Sequence, residues 1–220
     1  MRGLSLFFSI AFHPIFISFY SVYLYFCIDN YQNTILIKDN KFLYIIYSLI
    51  LIIGMIFPLI SMFIMYKTKV ISNFNLTERK ERIPVLLIVL IYYIMVYFMY
   101  RTWNESYINL PNPFSNLMSF LFGGLVLITI AFFVSLKWKI SLHSISISAM
   151  AGGFLALSLT MSPVYNIDKL ILWNTLLLIV MGFVGSSRLY LKAHNTYEVL
   201  CGLLLGFGVE YIIVFYRIAI

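Results

Sequence analysis

Ser187, Arg188, His194 and Glu198 lie close together near the end of the chain, among leucines, tyrosines and a valine. His194 and Glu198 are four residues apart, a spacing that puts both on one helix face. A carboxylate so placed accepts the proton of one imidazole nitrogen, fixes the tautomer and leaves the other nitrogen free as a nucleophile. The same pair can also serve only as a polar cap, so the spacing alone leaves both roles open. Arg188 precedes the histidine and carries a planar fork of donors that matches phosphate oxygens. The free N–H groups of a nearby helix start also favour an anion. A lone arginine at such a position can equally snorkel towards lipid headgroups.

Two further segments carry polar groups of the same kind. In KWKISLHSISISAM, residues 137–150, Ser141 and His143 open an apolar run, and His143 could give a proton to a leaving oxygen. In LTERKERIP, residues 76–84, Arg79, Lys80 and Arg82 are interleaved with Glu78 and Glu81. Pro84 suits the first turn of a helix. Arg79 and Arg82 are candidate clamps for phosphate oxygens, although a basic loop facing water has the same composition.

These segments must be positioned by a chain that is 62% apolar and 10% charged, with a mean hydropathy of +0.96. A soluble domain has about a quarter charged residues. The expectation is one integral membrane domain over residues 1–220: an all-α polytopic transmembrane helix bundle of six to seven spans. Runs of the length a helix needs to cross lipid fall at roughly 4–28, 42–66, 84–101, 115–136, 142–161, 168–186 and 195–217. Lipid leaves backbone groups unsatisfied in anything but helices or closed barrels, and continuous runs argue for helices. The first run, behind Arg2, is too long for a signal peptide and reads as a retained span.

Numbered by crossing, the gaps at 67–83, 137–141 and 187–194 fall on one side of the membrane. Three polar segments distant in sequence thus meet at one face. The net charge of +7 resides in such gaps, a pattern for anionic headgroups rather than nucleic acid. It leaves the orientation open, because six of the ten basic residues on the convergent side are themselves candidates for an anion site. Cys27 and Cys201 form neither a disulfide framework nor a metal-ligand spacing.

Together the three segments resemble the type 2 phosphatidic acid phosphatase family of integral membrane lipid phosphatases. That family carries Lys-x6-Arg-Pro, then Pro-Ser-Gly-His, then Ser-Arg-x5-His-x3-Asp. Ser187-Arg188, His194 and Glu198 reproduce the third motif, with glutamate in place of aspartate. Ser141 and His143 match the second, with Ile140 and Leu142 replacing proline and glycine. In the first, Arg82 and Pro84 are separated by Ile83, and Asn75 stands where the lysine belongs. The matching region covers residues 79–198.

The resemblance implies that His194 attacks phosphorus and becomes phosphorylated, Glu198 orients it and His143 protonates the leaving group. It also implies that Arg82, Arg188 and Ser141, with Ser187 and Arg79 beside them, hold phosphoryl oxygens. Water then hydrolyses the phosphohistidine, with no metal and no cofactor. The expected substrate is a membrane lipid carrying phosphate, such as a polyprenyl diphosphate or a phosphatidate-like species, in a bacterial cytoplasmic membrane. The alternative is a non-catalytic lipid-phosphate binder or transporter that keeps the anion site. Glu210, twelve residues beyond Glu198 and about 18 Å away at helical rise, is assigned a structural role. His13, followed by Pro14, is left without one.

Overall fold

The computed structural model describes residues 2–29, 33, 40–74, 76, 78–106, 115–161 and 166–219. Asn75 lies outside the described residues. The described elements are helical, and six of the helices are long and apolar enough to cross a membrane. A seventh crossing is added if the bent N-terminal pair counts as one span.

That pair is α1 (Arg2–Ala11) and α2 (Pro14–Phe26), inclined at 63° to each other. Proline has no N–H to donate and its ring clashes with the carbonyl four residues back, which kinks or breaks a helix, and at Pro14 the helix breaks. His13 takes an extended conformation at the break and caps α2. The sequence reading of one continuous span over 4–28 is therefore corrected to two helices.

The second span runs through α3 (Asn40–Leu51), a π-helical turn at Ile52–Ile56 and α4 (Phe57–Lys67). Pro58 cannot supply the amide that would bond the carbonyl of Gly54. The Phe57 amide reaches back to the carbonyl of Ile52, which widens the turn instead of breaking the helix.

The remaining spans are α5 (Arg79–Ser106), α6 (Ser115–Ser135), α7 (Leu142–Thr160), α8 (Ile167–Tyr190) and α9 (Thr196–Phe215). Two boundaries differ from the sequence reading. Helix α5 begins at Arg79, so Arg79, Lys80 and Arg82 are helical and Pro84 lies inside the helix. Helix α8 continues to Tyr190, so Arg188 sits in its last turn and not in the following connection. Apolar runs mark only the part of a helix that meets lipid. Charged residues extend it into the interface, where cations are favoured at a C-terminus.

Helix α7 is the centre of the bundle and packs most extensively against α9. Several of its buried residues are small: Ser144, Ser148, Ala151, Gly152 and Gly153. A β-carbon on Gly206 would lie 2.9 Å from the carbonyl carbon of Ile145, and one on Gly152 would lie 3.0 Å from the Cα of Phe207. The two backbones touch there, as small residues permit when lipid offers no hydrophobic drive for helix association. Ser148 adds hydrogen bonds to the carbonyls of Ile145 (3.2 Å) and Gly202 (3.4 Å). On the outside, Phe7, Phe63, Phe133, Leu159 and Leu204 are exposed, which suits a lipid-facing surface.

Helix α1 lies along α8, and α2 along α7. The kink therefore straddles the two helices that carry Arg188 and His143. Replacing Gly206 with valine should destabilise the bundle by about 1–3 kcal/mol or more through overpacking. Gly208→Val, where a β-carbon meets nothing within 4 Å, should leave it intact. Thermal unfolding of both variants in detergent checks the contrast; equal melting temperatures would dissociate the close contact from stability.

Candidate active site

At the start of α9, Asn195 is the helix cap, and its carboxamide oxygen accepts the Glu198 amide at 2.9 Å. Its amide nitrogen donates to Glu198 Oε1 at 3.1 Å. The other carboxylate oxygen, Oε2, is 2.5 Å from His194 Nδ1. Glu198 is thus held from both sides, and both His194 and Glu198 are buried at 8% exposure. A carboxylate only accepts hydrogen bonds, so the proton is on Nδ1 and the lone pair is on Nε2. Burial pushes the His194 ring below its ordinary value of 6.5. Arg82 and Arg188 add to this, while Glu198 opposes it through its hydrogen bond and its charge. The ring is therefore neutral at physiological pH with Nε2 available.

Arg82, buried at 4% exposure, ties the convergent segments together. Its Nε donates to the carbonyl of Leu76 at 3.0 Å and its Nη1 to the carbonyl of Ile140 at 2.9 Å. The amide of Ser141 donates to the carbonyl of Glu198 at 3.3 Å. The three polar segments expected at one face do meet there.

Arg188 donates from Nη1 to Ser9 Oγ at 2.5 Å, while its Nε is buried with no hydrogen-bond partner. His143 Nε2 is 3.1 Å from the carbonyl oxygen of Ser9. A carbonyl cannot donate, so that nitrogen carries the proton. The His13 ring stands edge-on to the His143 ring, 5.1 Å between centroids. Arg82, Arg188, His143 and His194 all line one cavity of about 390 Å³, and Ser9 and His13 line it with them.

Other expected site residues are not brought to the cavity wall. Arg79 donates to the carbonyl of Leu136 at the end of α6. Ser187 Oγ donates to the carbonyl of Phe183, 2.7 Å away in its own helix. Ser141 is fully buried as the cap of α7, where its oxygen accepts from the Ser144 amide (3.3 Å) and hydroxyl (2.8 Å). Arg79 and Ser187 thus give a donor to a nearby backbone carbonyl, while Ser141 is held away from the cavity as an acceptor at its helix cap. Of the five phosphate-binding candidates, only Arg82 and Arg188 line the cavity.

Three residues that shape the site were missed in the sequence, and a fourth, Glu210, shares its cavity. Asn195 was legible: Asn-x-x-Glu before an apolar run is a capping signature. His13 and Ser9 enter through the break that Pro14 enforces. Glu210 lines the same cavity, twelve residues along α9 from Glu198. Among the described residues no group of three histidine, cysteine or acidic side chains could hold a metal ion, and both cysteines are free.

Substitution of Asn195 separates its two roles. Asn195→Ala should lower stability by about 1 kcal/mol through loss of the cap. Asn195→Ser should keep the cap, and so the melting temperature, while giving up the amide contact to Glu198. Equal melting temperatures for the two variants would show that the cap contributes nothing. None of the protein-family models, curated proteins or solved structures compared with the chain matches it.

Proposed function

We propose that the chain is an integral-membrane lipid phosphatase that works through a phosphohistidine. One observation carries the reading. A neutral, carboxylate-oriented histidine opens onto the same cavity as two arginines, one of which keeps a buried, unpartnered donor. A buried donor without an acceptor is costly, and two guanidinium groups beside a single carboxylate leave positive charge to be balanced. A phosphate oxygen meets both needs.

The phosphoryl group of the lipid takes hydrogen bonds from Arg188 Nε and the remaining donors of Arg82. His194 Nε2 attacks phosphorus as the bond to the lipid oxygen breaks. Once the bound phosphate anion offsets the charge of Arg82 and Arg188, His143 takes up a proton from water at Nδ1 and gives it to that oxygen, because the Ser9 carbonyl holds the Nε2 proton. The products are the lipid alcohol and phosphohistidine. A water molecule then transfers its oxygen to phosphorus and its proton to His143, releasing inorganic phosphate. Positioning and fixed donors supply most of the stabilisation such a transfer needs. Phe16, Met62, Leu86, Leu127 and Ile128 also line the cavity, and they suit an acyl or prenyl chain. The expected setting remains a bacterial cytoplasmic membrane.

A second reading, a lipid-phosphate binder or transporter without turnover, is favoured by one feature. Ser141 is committed to its helix cap, and Ile140 and Leu142 flank it where the resembled motif has proline and glycine. A phosphate-release panel across lipid phosphates, with vanadate as competitor, separates the two. Release by the wild-type protein, its abolition in His194→Ala and a fall of about 10²–10⁴-fold in His143→Ala are expected. Unchanged turnover in His194→Ala would rule out the mechanism. Binding of lipid phosphate without release would select the second reading.

The pH dependence has a definite sign. A histidine whose value is lowered on folding stays unprotonated to lower pH, so His194 remains nucleophilic below 6.5. The acid limb of single-turnover phosphohistidine formation should lie below that value. A limb above it would show that the Glu198 interaction outweighs burial.

A further inference from the structure

Glu210, twelve residues beyond Glu198 on α9, lines the same cavity and is 1% exposed. Neither of its carboxylate oxygens has a hydrogen-bond partner, and no arginine or lysine pairs with it among the described residues. Its place is made by the neighbouring helices. A β-carbon on Gly123 of α6 would lie 2.6 Å from Glu210 Cδ, and one on Gly153 of α7 would lie 2.8 Å from Cγ. Two glycines thus admit a carboxyl group into the middle of a membrane span, where charged residues are rare and costly. The Tyr93 ring packs at Gly124, next to the Gly123 that admits Glu210, and a β-carbon on Gly54 would lie 3.8 Å from Ser18 Oγ. Tyr93, Ser18, Ser21 and Glu210 all line the cavity.

We propose that Glu210, Tyr93, Ser18 and Ser21 form a binding site for a small monovalent alkali cation. Carboxylate and hydroxyl oxygens are hard donors of the kind such ions take. A carboxyl buried without a partner either keeps its proton or exchanges it for a cation, and an alkali cation then both meets the oxygen lone pairs and balances the charge that loss of the proton leaves. The π-helical turn adds a further consistency: Gly54, within it, lines the same cavity. Irregular helix at membrane depth is tolerated where it borders a polar cavity, and interrupted helices commonly border ion sites. The site lies about 18 Å from the phosphate end by helical rise along α9, so it neither uses nor depends on the phosphatase assignment.

The test is thermal unfolding of the purified protein in detergent, in sodium, potassium or choline chloride at equal ionic strength. An ion that binds only the folded state raises the melting temperature. Sodium or potassium should raise it by several degrees over choline, which is too large for the site; the better of the two names the ion. In Glu210→Gln that difference should vanish. Tyr93→Phe keeps the shape but removes an oxygen, and should shift the midpoint of the salt titration to higher concentration. It also serves as the test if Glu210→Gln does not fold. No difference between the alkali salts and choline in the wild-type protein would overturn the proposal. So would a full difference retained in Glu210→Gln, or in Tyr93→Phe where that variant stands in for it. Phosphate release is not the readout, so failure here and failure of the phosphatase reading are distinguishable.

Discussion

The site depends on how closely α7 and α9 approach each other. At Gly152 and Gly206 the contact leaves no room for a β-carbon without displacement of backbone, and at Gly202 a β-carbon would lie 3.0 Å from the Ser141 carbonyl oxygen. This spacing lets the Ser141 amide reach the carbonyl of Glu198 and places His143 and His194 at one cavity. Lipid provides no hydrophobic force to hold two helices together, so contact between backbones, with hydrogen bonds such as that of Ser148, must do so. Larger residues on either helix would hold the polar segments apart even with every polar side chain retained.

A second constraint is charge. Arg82, Arg188 and the three histidines crowd the polar end of the cavity, against the single carboxylate of Glu198. Arg82 is tolerated in a buried position because two backbone carbonyls take its donors. The same bonds fasten the segment before α5 to the start of α7. Arg188 is less fully satisfied, with Ser9 taking one donor and Nε left without a partner. The residue that secures the architecture and the residue that keeps a donor for a ligand are thus different arginines.

The broken first span connects these constraints. Pro14 forces the break, His13 caps the new helix, and the turn carries Ser9 to both Arg188 and His143. A straight helix through residues 4–28 could not lie along α8 and then along α7. The N-terminal segment, which lies outside the stretch resembling the phosphatase motifs, accordingly fixes the tautomer of the histidine proposed as the leaving-group acid.

Much of this protein could be read from the chain itself. Apolar run length decides helices and their number, because lipid imposes its thickness on every segment separately. The i, i+4 spacing decides the His194–Glu198 pair, because both residues share one helix turn. Even the Asn195 cap and the break at Pro14 are local matters. Which polar side chains face the cavity is not local. Ser141, Ser187 and Arg79 have the same chemistry as residues that do, yet neighbouring acceptors or donors take their hydrogen bonds first. Ser9 and Glu210 stand in runs that look like ordinary membrane spans, and only the packing of α1 on α8, and of α6 and α7 against α9, turns them inward. Helix rotation and close approach depend on contacts between distant residues, and these were decided only by the tertiary structure.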